Sequence, residues 1–207
     1  MKKYIIHFYQ NNKLLNLNVL IFVMLSSFLF TQNIIESWNI LQKDSITIKY
    51  KEGQFPLCEA DMQINANIDD VLLVIEDLVN YKNFFDSIII SDKNDNNEVR
   101  MAIDMPFPFS DRDYTVKFVK NIEGKNVNFL YEAVISESYP LNSKFIRLIN
   151  AQGGWFVNYV DSNYTNIKYQ WNGEMLGNFP EWAYTKAWIQ QGNEIMLNLN
   201  EEIKRRK

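Results

Sequence analysis

Residues 111–136, DRDYTVKFVKNIEGKNVNFLYEAVIS, decide the fold class. Two stretches of alternating apolar and polar residues, 111–121 and 127–136, flank the turn signal Glu123-Gly124. Successive side chains of a strand point to opposite faces, so each stretch predicts a strand with one apolar face. A polar turn this short joins two strands as an antiparallel hairpin. The stretch therefore predicts an antiparallel sheet.

Strands with the same period continue on both sides of this hairpin. The turns between them are polar or contain glycine, and no segment between residues 87 and 172 has the length and period of a connecting helix. Such a series predicts an antiparallel meander and disfavours a parallel α/β sheet. We predict the further strands over 45–51, 57–66, 87–92, 98–105, 144–151, 155–160 and 165–172.

Three segments have helical periodicity instead. The first spans 34–42, and the second begins at Asn67 and ends between residues 81 and 84. The third begins after Pro180, spans 181–203 and has a broad apolar face that must lie against the sheet. These elements predict an α+β fold in which a curved antiparallel sheet wraps around a long C-terminal helix. We expect an apolar site in the gap between the two.

Residues 1–31 differ from the rest of the chain. Lysines at positions 2, 3 and 13 precede an apolar run, VLIFVMLSSFLF, at 19–30. This run is shorter than the ~20 residues that span a bilayer, and it matches an export signal with cleavage near Thr31. The alternative is an uncleaved N-terminal anchor. We therefore expect a domain over 34–207 that is exported, periplasmic or secreted, or else is anchored to a membrane by its N-terminal segment.

Charge and composition exclude several classes of function. Residues 1–31 contribute three lysines and no acid to a formal net charge of −4, so the remainder carries −7. Nucleic-acid binding calls for a basic face instead. His7 is the only histidine and Cys58 the only cysteine. A domain without His7 lacks the groups for Ser-His or Cys-His catalysis and for a zinc site. We therefore expect no nucleic-acid partner and no metal site.

Four short motifs occur in a characteristic order along the chain. They are YKNFF at 81–85, DMPFPFSDRDY at 104–114, GGW at 153–155 and FPEW at 179–182. From about Trp38 to its end the chain resembles a START domain, the lipid-transfer module of the Bet v 1-like (SRPBCC) helix-grip superfamily. The resemblance implies a hydrophobic tunnel for one lipid, sterol or similar molecule, with no cofactor and, for most members, no catalysis. Relatives in the wider superfamily include cyclases and hydrolases.

Alternation, the apolar face of the last helix and this resemblance together select candidate cavity residues. Plain core packing is the alternative interpretation for each of them. Some sterol-binding members have an internal acid–base pair, and the resemblance places Phe118 at the basic position, which implies a more apolar interior here. The candidates are Met101, Ile103, Arg112, Tyr114, Val116, Phe118, Phe129, Tyr131, Trp155, Trp171, Trp188 and Met196.

Arg112 has two interpretations. Its guanidinium either meets a polar lipid headgroup at the mouth of the cavity or pairs with a carboxylate, with Asp104, Asp111 and Glu132 as candidate partners. A buried arginine needs such a partner because an unpaired buried charge is strongly destabilising.

The sequence thus favours non-catalytic binding or transport of a lipid or other apolar small molecule by a monomer that contacts a membrane transiently. One alternative is a cyclase- or hydrolase-type enzyme on the same fold, with Tyr114, Tyr131, Asp104 and Arg112 as acid–base groups. Another is a ligand-free interaction module with a filled core. The basic end, 204–207, is interpreted as a solvated helix terminus or as a contact for anionic lipid.

Overall fold

Ten strands, two α-helices and one 3-10 helix form the described part of the chain, which in this computed structural model comprises residues 37–177 and 179–207. The predicted export signal or anchor at 1–31 lies outside the described residues. The strands are β1 (Asn39–Lys43), β2 (Thr47–Lys51), β3 (Leu57–Ile64), β4 (Ile88–Lys93), β5 (Glu98–Ile103), β6 (Arg112–Glu123), β7 (Asn126–Ala133), β8 (Ile146–Arg147), β9 (Gln152–Tyr159) and β10 (Thr165–Asn172). The helices are α1 (Ile68–Ile75), the 3-10 helix (Leu78–Asn83) and α2 (Glu181–Arg206).

All ten strands belong to one sheet in the order β1-β2-β3-β10-β9-β7-β6-β5-β4, with β8 paired to β6. Neighbours along this order are antiparallel, and the two-residue β8 alone runs parallel to its partner. The β6–β7 hairpin pairs Val116 with Ala133 and closes with Glu123 opposite Asn126. The predicted antiparallel meander is therefore confirmed.

The long helix α2 packs against this sheet through one face. Trp188, Met196, Leu199 and Ile203 of α2 are buried in the core cluster that also includes side chains of β2, β3, β9 and β10. Gly192 allows the close approach, because a Cβ at this position would lie only 2.9 Å from Cδ1 of Ile48. The fold is thus the predicted α+β arrangement, a curved antiparallel sheet around a long C-terminal helix.

The prediction of a helix over 34–42 is wrong for its described part. Residues 39–43 form β1, which pairs with β2 at one edge of the sheet. The Gln42 and Asn193 side-chain amides donate to each other, over 2.9 and 2.8 Å, and so attach β1 to α2. Pairing with β2 and this link to α2 outweigh the helical spacing of a short segment. Residues 34–36 lie outside the described part.

Two other predicted elements are much shorter than expected. The helix that begins after Asn67 ends at Ile75, and a separate 3-10 helix begins at Leu78. The Tyr81 hydroxyl donates to the Ile75 carbonyl, which would accept a backbone hydrogen bond if the α-helix went on for another turn. The predicted strand 144–151 is reduced to β8. Within β8, Arg147 donates to Asp113, with Nε to Oδ1 at 2.7 Å, and fixes the segment through its side chain.

Candidate functional site

An internal cavity lies between the sheet and α2, beside the 3-10 helix. The volume that the centre of a water molecule can occupy there is about 20 Å³, which is room for about one water. Ten residues line it: Tyr81, Phe85, Ile88, Met101, Tyr114, Phe118, Tyr131, Trp155, Tyr169 and Ile195.

The strand pattern locates half of this lining. Met101 on β5, Tyr114 and Phe118 on β6, Tyr131 on β7 and Trp155 on β9 are candidates that line the cavity. They alternate with residues of the other face of the sheet, which is the signal that found them.

Seven other candidates do not line this cavity. Phe129 stacks on Phe118 with ring centroids 4.7 Å apart, and Trp171 stacks on Tyr169 at 5.5 Å, so each supports a lining ring from behind. The Trp188 indole N–H donates to the Gly173 carbonyl. The seven candidates outside the lining are Ile103, Arg112, Val116, Phe129, Trp171, Trp188 and Met196.

Five lining residues were not among the candidates. Tyr81 lies in the 3-10 helix, Phe85 in the connection to β4 and Ile88 at the first position of β4, where no regular period marks an inward face. Tyr169 shares the alternation of Trp171 and was therefore within reach of the strand pattern. Ile195 lies on the apolar face of α2, but the helical period does not separate a residue beside a cavity from a residue in solid packing.

Among the residues that the structure describes, this cavity is narrower than the tunnel that the resemblance implied. Aromatic rings pack closely around it, with centroids 4.5 Å apart for Trp155 and Tyr169 and 4.9 Å apart for Tyr81 and Phe85. Such offset and edge-on ring pairs pack closely and are mutually attractive. The cavity is therefore the size of one small chemical group rather than of a whole lipid.

Four phenol hydroxyls and the indole N–H of Trp155 supply the polar atoms of the lining. The Tyr81 hydroxyl donates to the Ile75 carbonyl, and the Tyr114 hydroxyl donates to the Met101 sulfur at 3.4 Å. The hydroxyl oxygens of Tyr131 and Tyr169 lie 3.0 Å apart and share a hydrogen bond.

Burial keeps these phenols neutral. It raises the pKa of Tyr169 to about 12, although the hydrogen bond with Tyr131 lowers this pKa in part. Burial also raises the pKa values of Tyr81, Tyr114 and Tyr131 well above that of a free phenol, and for these three the neighbouring phenols add to the effect. None of the ten lining residues is an acid or a base at neutral pH. The site suits an uncharged occupant.

Arg112 is buried but pairs with no carboxylate in the described part of the chain. Its guanidinium donates to the carbonyls of Ser110, Met175 at 2.9 Å and Leu176 at 2.7 Å, and it lies over the Phe179 ring. The expected ion pair with Asp104, Asp111 or Glu132 is therefore wrong, because backbone carbonyls accept the hydrogen bonds of the guanidinium group instead. Burial lowers the pKa of Arg112.

These contacts join two segments beside the start of β6. One is the loop 104–111, and the other is the pre-helix segment, which we define as residues 173–177 with 179 and 180. The rings of Phe109 and Phe179 pack together with centroids 4.4 Å apart. Arg112 and this ring pair thus hold the loop and the pre-helix segment to each other.

Exposed apolar side chains surround the same end of the sheet. Phe107 is 97% exposed in the loop 104–111, and Ile135, 99% exposed, follows β7 where Val134 bonds to Thr115. Trp182 in the first turn of α2 is exposed as well, so it does not belong to the apolar face that packs on the sheet.

No helix within residues 37–177 and 179–207 is long and apolar enough to cross a membrane. No group of three or more histidine, cysteine, aspartate or glutamate side chains in the same ranges is arranged to hold a metal ion.

Known structures share this fold. The STAR-related lipid transfer protein fragment from Xanthomonas axonopodis superimposes with a TM-score of 0.69 at 20% identity, over 81% of this chain and 98% of that one. Human StAR-related lipid transfer protein 5 gives 0.71 at 14% identity, over 88% and 93%. The Zhui aromatase/cyclase from Streptomyces sp. R1128 gives 0.52 at 14% identity, over 72% and 94%.

At these identities the similarity concerns the fold. The chain has the START, or helix-grip, fold, as the four sequence motifs implied. No protein-family model matches the sequence, and no curated protein matches it at a significant level.

Proposed function

We propose that this protein binds and transports a lipid or similar apolar molecule between its sheet and α2, without catalysing a reaction on it. The observation that carries the proposal is the lining of the cavity, which is aromatic and aliphatic and includes no charged side chain. Structures described as lipid transfer proteins have the same fold. An apolar site between sheet and helix is where such a fold accommodates a small molecule.

Binding a whole lipid requires this site to enlarge. Ligand pockets usually occupy ~300–1,000 Å³, whereas the described cavity holds one water-sized group. The loop 104–111 and the pre-helix segment are held together by hydrogen bonds from Arg112 and by one ring pair. Separating these two segments would open the site at the cost of few contacts, because the hydrogen bonds between the strands of the sheet stay intact.

A membrane is the source of ligand that this end of the molecule suits. Phe107, Ile135 and Trp182 expose apolar surface around the two segments that would separate. Side chains of this kind, Trp in particular, partition into the interfacial region of a bilayer. Transient contact with lipid there would open the cavity where a ligand can enter.

The enzymatic alternative has weaker support. Its four proposed groups do not meet: Tyr114 and Tyr131 line the cavity, while Arg112 is bound to loop carbonyls and Asp104 lies on the loop 104–111. Burial also raises the pKa values of both tyrosines, so neither exchanges a proton readily near neutral pH. The aromatase/cyclase neighbour shares only the fold.

Residues 1–31 support export of the domain, as a cleaved signal or as an anchor. N-terminal sequencing of the protein isolated from its native source distinguishes the two. An N-terminus near residue 32 supports cleavage, and one at Met1 supports an anchor.

The test of the function is lipid loading. The full-length protein is incubated with phosphatidylcholine vesicles that also contain diacylglycerol, an uncharged lipid with one free hydroxyl. It is then separated from the vesicles and analysed by mass spectrometry, as is the material that co-purifies from the native source. Ile195→Trp fills the cavity from α2, and Leu197→Trp places the same ring on an exposed position of the same helix. We expect one lipid per protein for the parent and Leu197→Trp, and loss of lipid for Ile195→Trp. Overpacking should lower the melting temperature of Ile195→Trp, and a cooperative thermal unfolding transition shows that this variant still folds. A protein that never carries lipid would instead indicate an interaction module.

A further inference from the structure

Among the four phenol hydroxyls of the cavity, the hydrogen bonds leave one donor without a described acceptor. Tyr81 and Tyr114 commit their hydroxyl hydrogens to Ile75 and Met101. Of the Tyr131 and Tyr169 pair, one hydroxyl donates to the other, and the accepting hydroxyl keeps its own hydrogen. A buried hydroxyl without an acceptor is unfavourable, so this hydrogen suits an oxygen that enters the cavity.

The accepting capacity of the pair is also incomplete. Each phenol oxygen has two lone pairs, and the bond between Tyr131 and Tyr169 uses one of them on one oxygen. The pair therefore offers one donor and at least one acceptor at the same place. A hydroxyl group of a ligand can bond to both the donor and the acceptor of the pair, and a carbonyl group can accept from the donor.

Charged groups do not match this site. A carboxylate, phosphate or ammonium placed among the ten lining residues would meet neutral phenols and hydrocarbon, with no counter-charge in the lining. Burying an unpaired ion in such surroundings is far more unfavourable than burying a hydrogen-bonded hydroxyl. The cavity volume, about 20 Å³, fits one water-sized group such as a hydroxyl.

We propose that the Tyr131–Tyr169 hydroxyl pair anchors the polar end of the ligand, and that the protein selects uncharged lipids whose inserted end is a single hydroxyl or carbonyl group. This inference rests on the proposed function and narrows the class of molecule that it concerns. Fatty-acid anions, phospholipid headgroups and amines are disfavoured at this position, and plain hydrocarbons bind without the hydrogen bonds.

The test uses four ligands that share one chain. Phosphatidylcholine vesicles contain equal amounts of 1-dodecanol, dodecanoate, dodecylamine and dodecane at pH 8. The full-length protein is re-isolated, and the four probes that it carries are quantified by mass spectrometry. We expect dodecanol to exceed dodecane by about fivefold, the factor that corresponds to one hydrogen bond of about 1 kcal/mol, and to exceed both ions by at least about tenfold.

Variants locate the selectivity. In Tyr131→Phe/Tyr169→Phe the ratio of dodecanol to dodecane should fall to about one. Tyr81→Phe removes a hydroxyl from the same cavity that is already bonded to Ile75, so the ratio should stay at the parent value. Each ratio is internal to one sample, so it does not depend on how much of a variant folds.

The outcomes separate the two proposals. Equal loading of all four probes, preference for an ion, or an unchanged ratio in the double variant overturns the role of the tyrosine pair while the proposed function stands. The role of the tyrosine pair is also overturned if Tyr81→Phe lowers the ratio of dodecanol to dodecane as much as the double variant does. If the protein carries none of the four probes and no vesicle lipid, both proposals are overturned.

Discussion

A Cβ atom added at Gly153 would lie 2.7 Å from the hydroxyl oxygen of Tyr131 and even closer to the Gln170 carbonyl. The glycine thus allows β10 and the Tyr131 side chain to approach β9 from two directions. This contact explains one glycine of the GGW motif in physical terms, since a side chain at 153 would occupy the position of the tyrosine pair.

We predict that Gly153→Ala destabilises the protein by about 1–3 kcal/mol, as overpacking of a core generally does. Urea unfolding gives the free energy of unfolding. Gly124→Asn is the control, because Gly124 has a φ of 63° that asparagine also adopts and no atom lies within 4 Å of an added Cβ. The control should change the stability by less than about 1 kcal/mol. Equal losses for both variants would contradict the close approach at Gly153.

Residue-scale prediction from the sequence succeeded where a period assigns a face. Alternation on β5, β6 and β7 found Met101, Tyr114, Phe118 and Tyr131, all of which line the cavity. Alternation could not distinguish them from Val116, which lies on the same face of β6 but is buried in the core and does not line the cavity. The partner of Arg112 was out of reach for another reason: backbone carbonyls of a distant segment carry no mark in the sequence.

At the scale of elements, the end of α2 is fixed to the end of α1 by charge. Glu202 accepts hydrogen bonds from Arg205 at 2.6 Å and from Arg206 at 2.7 Å, and Arg206 also pairs with Asp77 at 2.7 Å. The four basic residues at 204–207 are all paired with carboxylates. All four residues are exposed, as the interpretation of a solvated helix terminus expected, and each is in addition paired with a carboxylate.

The link through Glu202 should depend on pH. Hydrogen bonds from Arg205, and further ones from Arg206, hold the pKa of Glu202 below its ordinary value. A carboxylate with a depressed pKa stabilises the fold fully above the unfolded-state pKa of about 4.3, and this stabilisation is lost as the pH falls through the lower folded-state value. We predict that Glu202→Gln is less stable than the parent between pH 6 and 8, and that the difference narrows below about pH 4.

Thermal unfolding across this pH range measures the difference. Glu201→Gln is the matched control, since Glu201 is the neighbouring acid of the same helix with a largely exposed side chain, and exposed pairs contribute little. If the two variants showed the same pH profile, the Glu202 link would have no special role.

The sequence predicted elements unevenly for a physical reason. β10 was predicted with its observed limits, 165–172, because it is a central strand whose alternation extends over its whole length. β1 was mistaken for a helix because five residues at the edge of a sheet have little pattern of their own and depend on β2 and Asn193. Segments held by tertiary contacts are those where local periodicity misleads.

For the whole molecule, the order of elements fixed the architecture but not the internal volume. A meander followed by a long amphipathic helix has few ways to bury its apolar faces, so the α+β helix-grip arrangement followed from the pattern. The volume between sheet and helix depends instead on how Trp155, Tyr169, Phe85 and their neighbours orient their rings. That outcome of side-chain packing is invisible to periodicity, and it makes opening of the molecule a necessary part of the proposed function.

A covalent link between the two segments tests whether they must separate. Phe109→Cys/Phe179→Cys places thiols where two rings now touch, and a short bismaleimide can join them. Cys58 is buried and its thiol pKa is raised, so it reacts slowly. We predict that the cross-linked protein retains its thermal stability but takes up lipid from vesicles at least about tenfold more slowly than the same variant without the linker, as expected when a closing element controls access.

The control joins Ile122→Cys to Lys125→Cys across the β6–β7 turn, where both residues are exposed at the opposite end of β6. That link leaves the loop 104–111 and the pre-helix segment free, so uptake should match the unlinked protein. Uptake that stays fast with Phe109 and Phe179 positions joined would mean that ligand enters elsewhere. The remaining route would run past the 3-10 helix, where Tyr81 and Phe85 line the cavity and the contact of Ser91 with the Leu78 carbonyl holds β4 in place.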